Sequence, residues 1–113
     1  MHEYPVTEQI VKIAEAKMRE NNLEKITKIN LVVGEYSGYV AESIKMYFDI
    51  ITENTSIFGA ELDIEFIKPK LKCEGCKKLF ERKPFSFECP FCGGQGVPTE
   101  IGREFYIKSI EGE

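Results

Sequence analysis

Two CxxC pairs constrain this chain more than anything else in it. They are Cys73-Glu-Gly-Cys76 and Cys89-Pro-Phe-Cys92, with twelve residues between them. A CxxC turn brings two thiolates to one ion from the same side, with backbone N–H groups turned toward the sulfurs. Two such turns complete a tetrahedral four-thiolate site, the closed geometry of structural zinc. Gly75 in the first pair and Gly93-Gly94 after the second relieve the tight turns. The spacing leaves room for a hairpin, and Phe80, Phe85 and Phe87 in the gap can pack beside the metal. A thioredoxin-like redox motif would need only one pair. A rubredoxin-like iron site uses the same ligands, and CPFCG is similar to its second knuckle. The gap is short, however, and no large aromatic core surrounds it, so zinc is the expected ion. Four thiolates leave no open position for water or substrate, which makes the expected role structural.

The cysteines sit in a segment with its own character. Residues 69–99 carry Lys70, Lys72, Lys77, Lys78, Arg82 and Lys83 against Glu74, Glu81 and Glu88, a net of +3. The whole chain has a formal charge of −4, so the remainder holds −7. Four of the five prolines also fall here. About thirty residues cannot bury enough apolar surface to fold alone, so this module needs the metal as a staple.

The rest of the chain reads as a small α/β unit. Val6, Ile10, Ile13 and Ala14 mark one helical face, and the spacing predicts a helix over residues 5–21 that stops at Asn21-Asn22. Met1 to Glu3 are then a short arm just outside it. Ile29, Leu31 and Val33 alternate as a strand ending at Gly34. Val40, Ile44, Tyr47, Phe48 and Ile51 form a second helical stripe. Two further strands follow, over Leu62–Phe66 and Phe105–Ile110. A strand–helix–strand order favours a crossover with parallel strands. The last two strands are expected to form a long hairpin with residues 69–99 at its tip. The predicted fold class is α+β (α/β-like): a small mixed three-stranded sheet with two helices on one face, plus an inserted four-cysteine zinc-ribbon-like module. The expected domains are residues 1–68 with 100–113, and residues 69–99.

Composition narrows the function. An acidic chain lacks the positive field that nonspecific nucleic-acid binding requires. No apolar run approaches the ~18 residues that span a bilayer. Glu3 and Glu8 interrupt the N-terminus, which does not read as a secretory signal. A cytoplasmic location is expected, where thiols stay reduced and serve metals rather than disulfides. No nucleophile with a plausible base and no phosphate loop is present, so no enzyme activity is expected.

The only histidine is His2. The terminal amine, the His2 backbone nitrogen and the imidazole can form fused chelate rings on one ion. Such nitrogen donors in square-planar geometry favour Ni(II) or Cu(II). Glu3 adds a backbone nitrogen or a carboxylate. A six-coordinate site of imidazole, amine and waters is the alternative, and a terminal histidine is also commonly just an exposed residue.

MHE at the start, VVGEYSGYVAESI, GAELDIEFIKP, CEGC…CPFCGG and the final GREFYIKSIE occur in the order found in the HypA/HybF family. The chain resembles these nickel-insertion accessory proteins of [NiFe] hydrogenase almost end to end. The resemblance implies a nickel metallochaperone in which Met1, His2 and Glu3 hold Ni(II) as transient cargo. It also implies that Cys73, Cys76, Cys89 and Cys92 hold Zn(II). The implied partners are the nickel-handling GTPase HypB and the hydrogenase large-subunit precursor, with neither nucleic acid nor membrane; a homodimer is compatible. The rival reading is a zinc-ribbon adaptor that binds protein or nucleic acid without delivering nickel.

Overall fold

The computed structural model describes residues 3–84 and 86–113. Helix α1 spans Glu3–Glu20. It begins two residues earlier than the apolar spacing predicts, so Glu3 belongs to the helix and not to an arm outside it. Pro5 allows this, because the first-turn N–H groups of a helix have no intrahelical partner to lose. An acid in the first turn and Lys17 and Arg19 in the last suit the helix dipole. The end is set by Asn22, whose φ of 52° is left-handed, and by the Leu23 N–H donating to the Met18 carbonyl.

Strand β1 (Ile26–Gly34) leads into helix α2 (Ala41–Thr52) and then strand β2 (Glu61–Ile67). β1 and β2 are parallel, with Val33 beside Phe66. The last strand, β6 (Phe105–Gly112), pairs antiparallel with β1, placing Phe105 on the other side of Val33. The sheet order is therefore β2-β1-β6. The expected hairpin between the last two strands does not form. Instead β1, the most buried of the three strands, sits in the centre, where neighbours cover both of its edges. Bulges at Thr27 and Lys108 shift the β1–β6 register.

Ile29, Leu31 and Val33 point to the helices and join Ile10, Val11 and Ala14 of α1 and Ile44 and Phe48 of α2 in one core. Val40, part of the expected stripe, instead caps α2 and is exposed. The other sheet face is mostly polar, with Val32 and Tyr106 among its apolar members. Lys28 meets Glu61 at 3.5 Å, Lys108 meets Glu65 at 3.3 Å, and the Asn30 amide donates to Glu111 and Ser109.

Between β2 and β6 the chain builds a second sheet. Strands β3 (Leu71–Cys73), β4 (Leu79–Phe80) and β5 (Gly96–Pro98) pair antiparallel in the order β4-β3-β5. Leu71, Phe80, Cys73 and Cys89 form its own small core. The two sheets join where β1 ends. A Cβ on Gly34 would lie 2.2 Å from the Gly102 carbonyl oxygen, and one on Gly102 would lie 2.7 Å from the Pro69 Cα. Only glycine allows this crossing of backbones. The Gly34 N–H donates to Glu104, Glu35 to Ile67 and Tyr36 to Gly102, which tie the outgoing and returning segments to the end of β1.

Candidate metal centre

The two cysteine turns are near-copies of one another. In the first, the Lys77 N–H donates to the Cys73 carbonyl at 3.0 Å and the Cys73 N–H to Lys78 at 3.0 Å. In the second, Gly93 donates to Cys89 at 2.9 Å and Cys89 to Gly94 at 2.8 Å. The residue after each turn is left-handed: Lys77 with φ 65° and Gly93 with φ 76°. The Glu74 N–H donates to the Gln95 carbonyl and links the first turn to the chain that follows the second.

This repetition brings all four sulfurs together within 4.8 Å of one another. The Cys73 and Cys92 sulfurs are 3.4 Å apart, and those of Cys76 and Cys89 are 3.7 Å apart. Tetrahedral sulfurs on zinc at about 2.3 Å would be separated by about 3.8 Å, so this donor set fits the ion. Backbone N–H groups of Cys76 and Phe91 approach the Cys73 and Cys89 sulfurs, each at 3.4 Å. Gly94 makes the approach possible, since a Cβ there would lie 2.9 Å from the Cys73 sulfur. Cys73 and Cys89 are buried, Cys76 is half-buried and Cys92 is exposed.

The thiols do not share charge evenly. The Cys76 N–H donating to Cys73, with further contacts from Cys92 and Gly75, holds the Cys73 thiol down at about 6 despite its burial. The Lys78 N–H pulls Cys76 the same way, but burial and the neighbouring Cys89, Cys92 and Cys73 outweigh it and push Cys76 up to about 11. A first thiolate thus forms readily and a further one resists. A dication removes that conflict, which is why four clustered thiols suit zinc better than protons.

Of the phenylalanines expected beside the site, Phe80 is buried in the module core. Phe87 is exposed, with the Arg82 guanidinium 4.5 Å from its ring centre. Phe85 lies outside the described residues.

The second sequence-predicted site is described only in part. Met1 and His2 lie outside the described residues. Glu3 is 4% exposed, and its carboxylate accepts the Val40 N–H at 3.1 Å. Val40 is the N-cap of α2 and provides no side-chain cap of its own. In a capping box an acid on the same helix reaches back to the N-cap N–H. Here the acid comes from the neighbouring helix. The Thr7 hydroxyl donates to the Glu3 carbonyl, and the Tyr4 ring packs edge-on to Tyr47 at 5.3 Å, closing α1 onto α2. The trans cap was not visible in the sequence, because Glu3 and Val40 are joined only by the packing of the two helices.

The fold and the four-thiolate cluster define a small metal-binding protein. Residues 1–112 match the family described as "Hydrogenase/urease nickel incorporation, metallochaperone, hypA". The chain is 46% identical to the hydrogenase maturation factor HypA of Caldanaerobacter subterraneus subsp. tengcongensis, over the full length of both. A solution structure of a HypA protein superposes with a TM-score of 0.70 at 26% identity, covering 100% of this chain and 97% of that one. The solution structure of the Ni metallochaperone HypA from Helicobacter pylori gives 0.63 at 25% identity, covering 99% and 97%. The chain belongs to the HypA family.

Proposed function

We propose that this protein binds Ni(II) at its N-terminus through Met1, His2 and Glu3 and delivers it to the large subunit of a [NiFe] hydrogenase. The match of residues 1–112 to the nickel-incorporation family carries this reading. Residues 1–68 with 100–113 act as the nickel-binding domain. Residues 69–99 act as the zinc domain, with Cys73, Cys76, Cys89 and Cys92 as the ligands of a structural Zn(II). The function is transfer of an ion rather than catalysis, in the cytoplasm, in exchange with the GTPase HypB and the large-subunit precursor. No helix among the described residues is long and apolar enough to cross a membrane.

An amine and an imidazole have ordinary pKa values of about 8 and about 6.5, so protons compete for nickel near neutrality. Mild acid therefore releases the metal. Glu3 contributes its backbone nitrogen or its carboxylate, and the latter is shared with the Val40 N–H. Calorimetric nickel titration of tag-free protein and His2→Ala, with zinc measured on both, tests the reading. One nickel per wild-type chain, lost in the variant while zinc is kept, is expected. Equal nickel binding by both would sink it.

A further inference from the structure

A groove of about 550 Å³ runs between the start of α2 and β2. Tyr39, Val40, Ile64 and Phe66 line it. Val40 is 56% exposed and Phe66 51%, so two large apolar side chains face solvent in the same concavity. Such a clustered patch marks an interaction surface, whereas single exposed apolar residues need no explanation. Glu35 and Glu42 also line the groove. Among the described residues neither carboxylate has an ion-pair or hydrogen-bond partner. Lys45 is the one cation among the described residues that line the groove, and the chain outside residues 69–99 carries −7. β2 is also an outer strand of its sheet, and an outer strand can pair with an extended segment.

The groove adjoins Glu3, the first residue of α1. Val40 both lines it and holds the Glu3 carboxylate through its backbone N–H. We infer that the groove takes an extended segment of a nickel-exchanging partner protein. That segment sets an apolar side chain against Val40 and Phe66 and lysine or arginine against Glu35 and Glu42. This rests on the nickel-delivery reading above. Docking here raises the partner's effective concentration at the N-terminal ligands, which lets a weakly held ion pass directly between proteins.

The test uses the zinc-loaded full chain, with purified HypB and purified hydrogenase large-subunit precursor as separate binding probes. Phe66→Asp removes the apolar contact. The double variant Glu35→Lys with Glu42→Lys reverses the charge without touching the core. Met46→Asp, on the solvent side of α2 and outside the groove, is the control. The zinc content and thermal midpoint of each are measured first. Expected is a Kd for one probe raised about tenfold or more by both groove changes, and unmoved by the control. Added salt should weaken wild-type binding more than that of the double variant. Wild-type binding matched within about twofold by both groove variants would overturn the docking site alone. Binding of neither probe by wild type would overturn the delivery reading and the docking site with it.

Discussion

The Glu3 carboxylate accepts the backbone N–H of Val40 at 3.1 Å, so the first described residue of α1 caps the start of α2. The contact is half-buried and joins residues 37 positions apart. Glu3→Ala strands the Val40 N–H at the α1–α2 seam. A lower midpoint in urea denaturation is expected for zinc-loaded, nickel-free protein. Glu3→Gln keeps an acceptor and should recover most of the difference. An unchanged midpoint for Glu3→Ala would show that the residue matters only to metal binding.

The crossing of Gly34 and Gly102 predicts a second asymmetry. An added methyl at Gly34 meets backbone at 2.2 Å, which no rotamer change can relieve. Gly34→Ala should cost more than about 3 kcal/mol, in the range of severe overpacking. Gly38, with φ 91° and open space around it, is the comparison. Gly38→Ala should cost only the left-handed strain, about 1–2 kcal/mol. Thermal unfolding of both distinguishes close approach from backbone conformation, and equal losses would refute the packing argument.

The unequal thiols make zinc uptake report on pH. Near pH 7.5 the Cys73 thiol, at about 6, is already mostly ionised, whereas Cys76, at about 11, still holds its proton. Zinc binding should therefore release fewer than four protons at that pH, measured by calorimetry in buffers of different ionisation enthalpy. As the pH is lowered through 6, Cys73 is protonated beforehand, the number released rises toward four, and apparent affinity falls. Four protons released at pH 7.5 would contradict a depressed Cys73.

The cysteine site was legible in the sequence because a CxxC turn is local: spacing alone places two sulfurs on one side. The helices and strands were legible for the same reason, since Ile10 and Ala14, or Ile29, Leu31 and Val33, carry their own period. What was missed depends on meetings across the chain. The hairpin expected from β2 and β6 gave way to pairing of both with β1, because edge choice is decided by the packing of all three strands. The start of α1 was missed because Pro5 and an isolated Glu3 give no apolar period to count. The acids beside Val40 and Phe66 were equally silent, because Glu35, Glu42 and Phe66 come from three different stretches of chain.

The second sheet leaves the first after Ile67 and returns before Phe105, and both points lie within one rung of Val33. The two exits stand only two strand spacings apart, about 10 Å. A few residues would span that gap. The cysteine-bearing module is thus inserted at one connection of a sheet whose ladders its strands do not join, and the core that seats the helices holding Glu3 draws no described residue from it.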